Sequence, residues 1–164
     1  RIWYVGYSYS HDNFHYSEVE RRDGYAAAMI DAGLQPVCID RYHPHLADLR
    51  PDAGLWVQAL SRPDRPTAVV CYGVVVDASV IHHAATRLGL SVPRDLSLVT
   101  FDGSPTFNAL ELDTWLVPED EVGRVGVEML MQKIESPEQP FPARRLPFTH
   151  EPGESVAPPS DGPC

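Results

Sequence analysis

The sequence predicts an α/β fold, a parallel sheet with helices on both faces. Short apolar runs alternate with longer amphipathic segments over most of the chain. Such an alternation of strand and helix builds parallel sheets covered on both sides. The helical segments also carry start and stop residues in the expected places. At 164 residues, 43% hydrophobic and 22% charged, the chain has the make-up of an ordinary globular domain.

The opening run, Ile2-Trp3-Tyr4-Val5-Gly6-Tyr7, is β-branched and aromatic and reads as a buried strand over 1–7. Ser17 and Glu20 fit a capping box, in which each side chain bonds an orphan amide at a helix start. Val19, Ala26, Met29 and Ile30 follow at helical spacing up to Gly33, so a helix is expected over 18–32. Residues 35–39 form a second strand and the polar stretch 41–50 a loop. Leu55, Trp56, Ala59 and Leu60 make a short helix closed by Pro63, and 67–72 is the third strand. Asp77 starts a helix carrying Val80, Ile81, Ala84 and Leu88, with Gly89 as its stop, and 96–101 is the fourth strand. Residues 113–117 are extended and apolar. Pro118, Glu119, Asp120 and Glu121 then place acids at the positive end of a helix dipole. That helix runs to Ser136-Pro137, a proline-rich stretch follows, and 146–150 is read as a last strand. Residues 152–164 hold few apolar groups and are expected to form a flexible tail.

The net charge of −10, from 13 basic and 23 acidic residues, would repel a phosphate backbone. No run is long and apolar enough to suggest a membrane span. Cys38, Cys71 and Cys164 make no CxxC pair and read as thiols in a reducing, cytoplasmic setting.

In open parallel sheets, ligands bind beyond the carboxyl ends of the strands. This rule nominates Tyr7 and Ser8, Asp40, Tyr72 and Gly73, and Asp102. Asp40 and Asp102 are typical of ligand clefts that accept hydroxyl protons, and no nucleophile or base stands at matched spacing to make them catalytic. Binding, not catalysis, is expected. Arg21, at the start of the first helix, either pairs with Glu18 or Glu20 in solvent or clamps a ligand with its planar fork. The pairs His11/His15 and His43/His45 lack the converging ligands a metal needs, so neither metal nor cofactor is expected.

Several segments together resemble one family. Glu20-Arg21-Arg22-Asp23-Gly24-Tyr25 with Ala32-Gly33-Leu34 is similar to the ERxxGY…AGL stretch of lactose-repressor (LacI/GalR) regulators. The run 62–69, RPDRPTAV, resembles the segment before the third strand, and 88–99 matches the LGLxVPxDxSxV signature. Phe101-Asp102 matches an aromatic-Asp pair, and Glu121-Val122-Gly123-Arg124 and 154–159 complete the pattern.

The resemblance implies a periplasmic-binding-protein-like type I lobe in residues 1–113. It assigns 114–151, a crossover, helix and strand, to the N-terminal lobe of the intact fold. It implies that Arg21 and Asp102 contact a small effector, usually sugar-like or nucleobase-like, and the strand-end rule places Tyr72 between them as an apolar wall. It also implies a homodimer paired through Ala78, Ile81, His82 and Ala85. DNA would be bound only by a helix-turn-helix headpiece expected to lie outside this chain. The sequence departs from the family at Gly73-Val74, Gly103 and Val117, where polar contacts are usual. A polyol would find fewer partners in such a cleft. The competing reading is an exported sugar-binding protein of the same fold, and the VPxD motif favours the regulator.

Overall fold

A computed structural model describes residues 1–8, 16–42, 53–73, 77–102 and 110–159. The elements are β1 (Ile2–Ser8), α1 (Tyr16–Asp31), β2 (Val37–Tyr42), α2 (Ala53–Leu60), β3 (Ala68–Cys71), α3 (Asp77–Arg87), β4 (Ser97–Phe101), β5 (Asp113–Leu116), α4 (Glu119–Glu135) and β6 (Thr149–Glu151). They build one sheet in the order β2-β1-β3-β4-β5-β6. The pairings from β2 through β5 are parallel, and β6 closes the edge antiparallel to β5. The expected α/β architecture is present. The strand β2 runs past Asp40 to Tyr42, which pairs with Ser8, so the expected loop starts later than its polarity implied.

Alternation along the strands sends Val5, Val69, Cys71 and Leu98 to one face, where Trp56 and Leu60 of α2 and Ile81 and Ala84 of α3 enclose them. On the opposite face Tyr4 stacks on Tyr25 of α1, with ring centroids 5.4 Å apart. Both predicted stops are used. Gly33 and Gly89 have φ of 71° and 70°, conformations that cost other residues steric strain. At each, two amides turn back to the helix: Gly33 to Ile30 and Leu34 to Met29, then Gly89 to Thr86 and Leu90 to Ala85. These bonds satisfy carbonyls that a helix end leaves open.

Three expectations change. Ala78, Ile81 and Ala85 are fully enclosed in the chain's own core, so they offer no surface to a second copy. Of the four residues proposed for pairing, only His82 is partly exposed. The small residues of α3 allow close approach, but to α2 and the sheet. The first part of the presumed tail is docked: Ser155, 1% exposed, donates to the Leu98 carbonyl and accepts from the Asp113 amide, and the Ser97 hydroxyl bonds both backbone groups of Ala157. Finally, β5 and β6 extend the same sheet, so within 114–151 it is α4 that stands apart, burying only Val125.

Two of the motif stretches touch. The Asp95 carboxylate accepts from the Ser91 amide at 2.8 Å, and Arg65 of the RPDRPTAV run donates to the Asp95 carbonyl at 2.9 Å. The Ser91 amide, and then Arg94, hold the Asp95 carboxyl below its ordinary range. A depressed carboxyl stabilises the fold above its unfolded pKa, and that contribution is lost as pH falls through the folded value. Asp95→Asn should therefore lower the melting temperature at pH 7, and the difference from wild type should shrink on acidification below the ordinary carboxylate range. A pH series of thermal melts checks this; a constant difference would show that the carboxylate charge is not what matters.

Candidate functional site

Arg21 lies one turn after Ser17 on α1, so both side chains project from the same helix face toward the carboxyl ends of β3 and β4. The Arg21 guanidinium donates from Nη1 to the Tyr72 carbonyl at 2.8 Å. It also grips Asp102 with both ends of its fork, Nη1 to Oδ2 at 2.6 Å and Nη2 to Oδ1 at 2.9 Å. The guanidinium plane rests near the Tyr72 and Phe101 rings, 4.7 and 4.9 Å from their centroids, with Phe148 at 5.6 Å. Planar charge, bidentate pairing and aromatic faces suit arginine and not lysine. Arg21 is 11% exposed, whereas Asp102 is 42% exposed and remains accessible to a ligand.

Asp102 reaches this position through an unusual backbone. Its φ is 60°, a left-handed conformation that aspartate tolerates better than most residues, and its amide bonds the Trp115 carbonyl at 2.9 Å. The turn directs the side chain back over the sheet edge toward α1.

A cleft of about 950 Å³ opens over the pair. Its floor includes Ser17, Arg21, Tyr72 and Asp102, and Val117, Val122, Val125, Met129 and Leu146 contribute to its lining from the other side. The structure thus unites three of the residues nominated from the sequence. Arg21 and Asp102 do not wait separately for a ligand, however; each holds the other. Tyr72 contributes its carbonyl and its ring, and its hydroxyl lies 2.8 Å from the Ser17 hydroxyl. Ser17 was read as a helix cap; it stands inside the first turn and belongs to the cleft. Its spacing of four from Arg21 was the available signal.

Gly73 does not line the cleft, and a Cβ there would meet nothing within 4 Å. Ser8 ends β1, but Asp40 stands two residues before the end of β2 at Tyr42, and the side chains of both lie outside the described set. Val74, Gly103 and the histidines His11, His15, His43 and His45 are also outside the described residues. Among the described residues, no group of three or more His, Cys, Asp or Glu side chains could hold a metal.

Beneath the site lies an acid that its polarity would place in solvent. Glu18 is fully buried in the first turn of α1. Its carboxylate fills the space over Gly6, where a Cβ would come within 1.9 Å of Oε1. Burial, and next the Glu18 charge, push the Tyr4 hydroxyl far above its ordinary range.

Residues 1–156 match the model of the periplasmic binding protein-like domain, and the chain belongs to that family. Within it the chain is of the LacI type. It is 32% identical over 139 residues to the transcriptional repressor PurR of Glaesserella parasuis, covering 80% of this chain and 40% of that protein. It is 35% identical over 91 residues to PurR of Escherichia coli, covering 53% of this chain and 26% of that protein. A LacI-family regulator from Bifidobacterium animalis subsp. lactis superposes with a TM-score of 0.77 at 20% identity, over 97% of this chain and 56% of that one. A LacI-family regulator from Enterococcus faecium, solved with bound ribose, gives 0.73 at 21% identity, over 96% and 56%. The chain thus spans less than half of these curated relatives and just over half of these solved structures. The two PurR relatives are transcriptional repressors, not enzymes.

Gly6→Ala should destabilise the chain by about 1–3 kcal/mol, the usual cost of overpacking. Glu18→Ala would clear the space, so Gly6→Ala should cost much less in that background. Urea unfolding of the two single variants and the double variant measures the coupling. Additive costs would mean that Glu18 does not occupy the Gly6 site.

Proposed function

We propose that this chain is the effector-sensing region of a DNA-binding transcriptional repressor that answers a small molecule. The observation that carries this reading is the Arg21–Asp102 pair, held at the carboxyl edge of a parallel sheet and open to a cleft on its Asp102 side. Its support is the family and the PurR relatives. A sugar-like effector is the finer expectation, and the ribose in the Enterococcus faecium structure makes sugars the first compounds to titrate. Homodimerisation is part of the same reading, supported by a structural neighbour described as a dimeric Lac repressor. Its surface would have to use residues other than Ala78, Ile81 and Ala85.

With a charge of −10, these 164 residues are poorly suited to hold DNA themselves, so that role falls to a headpiece outside them. The protein would work in the cytoplasm, where its operator is. No helix among the described residues is long and apolar enough to cross a membrane. The α4 helix presents Val127, Leu130, Met131 and Ile134 to solvent, each more than half exposed. Their i, i+3, i+4, i+7 spacing is that of a buried helix stripe. This supports assigning α4 to a second lobe of the intact repressor.

Thermal-shift titration with sugars, polyols and nucleosides tests the sensing role. A true effector should stabilise the wild type, and Arg21→Ala and Asp102→Ala should each weaken its binding about tenfold or more. A ligand that stabilises all three proteins equally would place the site elsewhere.

A further inference from the structure

Two apolar surfaces among the described residues are bare, and they match each other. We infer that α4 of one copy seats in a groove between α1 and the β3–β5 face of a second copy. The exchange is reciprocal and gives a twofold dimer of the 164-residue chain. It goes beyond the sensing reading and does not use the cleft over Arg21 and Asp102. A second lobe over α4 would take the same helix face, so this dimer and the two-lobed repressor exclude each other.

The groove follows from an uneven sheet. Parallel sheets are normally covered on both faces. The α2–α3 layer covers one face completely, and Val69, Cys71 and Leu98 have no exposure there. On the other face α1 lies over β1 and β2, where Tyr25 stacks on Tyr4 and bonds the Ile2 carbonyl and the Val37 amide. The residues that β3, β4 and β5 send to that face are Val70, Val99, Phe101 and Trp115. All four stay partly open, and Trp115 is 39% exposed. They floor a groove of about 470 Å³. Strands stand about 4.8 Å apart, so three of them present about 10 Å, the width of one helix. The α1 side of the groove is low. Gly24, Ala28 and Ala32 line it at one-turn intervals, and a Cβ on Gly24 would meet nothing within 4 Å. Small side chains there let a second helix come close.

The occupant has to be a helix with an apolar stripe and no cover of its own, and α4 is such a helix. Val127, Leu130, Met131 and Ile134 make the stripe, and Gly123, one turn earlier, is equally open. The other side of α4, with Val122, Val125 and Met129, faces the cleft of its own chain. The bare stripe therefore points away from the molecule that carries it, and a second copy is free to receive it. Each copy bears both surfaces, so one twofold axis fills both grooves, whereas one-way docking would continue into a filament. Two exchanges also add their buried areas toward the roughly 1,200–2,000 Å² of a stable interface. The charge of −10 opposes association, and salt screens it.

Sedimentation velocity at physiological ionic strength should show the 164-residue chain as a dimer at micromolar concentration. Leu130→Glu on the stripe and Ala28→Glu on the groove are at exposed positions and should leave the circular dichroism unchanged. Each sets a carboxylate into the interface twice and should raise the dissociation constant about a hundredfold or more. His82→Glu, on α3 and outside both surfaces, should leave the dimer as it is. Trp115 is the one exposed tryptophan of three and gives a second readout. Acrylamide should quench it more strongly as the wild type is diluted into monomer, and equally strongly at every concentration in Leu130→Glu. A wild type that stays monomeric would overturn the inference. So would a dimer that survives Leu130→Glu or Ala28→Glu, one lost in His82→Glu, or one whose Trp115 is quenched as in the monomer. None of these results touches the sensing reading, which ligand titration tests separately.

Discussion

The bidentate contact between Arg21 and Asp102 is the interaction on which the geometry of the cleft depends. It joins the start of α1 to the end of β4, and through the Tyr72 carbonyl it also fixes the end of β3. These elements are far apart in the chain and meet only because the sheet is parallel and wound so that β3 lies between β1 and β4. Guanidinium and carboxylate would gain little from pairing in open water. Here the guanidinium is largely enclosed, lies against aromatic faces and has two carboxylate oxygens in reach, so the same charges are held in one arrangement.

That arrangement is supported from below. The core between the sheet and the α2–α3 layer fixes the strands, and Tyr4 stacked on Tyr25 seats α1 on the other face. Gly6 lets the first turn of α1 approach β1 closely enough to bury Glu18. An acid in the first turn is favoured by the helix dipole, which offsets part of the cost of taking it out of water. The turn that contains Glu18 also carries Ser17 and leads into Arg21, so one close contact between glycine and helix orients two cleft residues.

Much of this order was legible in the sequence because it rests on local rules. Gly33 and Gly89 mark helix ends through backbone conformation, and the short apolar runs that hold Val69, Cys71 and Leu98 mark the strands. Asp102 and Tyr72 followed from their place at strand ends, and Arg21 from the family motif. What was not legible depends on contacts between distant segments. Helical spacing shows that Ala78, Ile81 and Ala85 share a face of α3, but not whether that face turns inward or outward; packing against α2 decides it. Glu18 looks like a surface residue unless the space over Gly6 is known. Ser155 docks through polar bonds to β4 and β5, which leave no apolar pattern in the sequence.

The measurement closest to the centre of this account is a double-mutant cycle on Arg21→Ala and Asp102→Ala, followed by urea unfolding. Asp102 is 42% exposed, so the coupling should lie at the upper end for surface pairs, about 1 kcal/mol, and should survive moderate salt because Arg21 is enclosed. A coupling within about 0.3 kcal/mol of zero would mean that the two side chains do not hold each other, and the pair could not then be what organises the cleft.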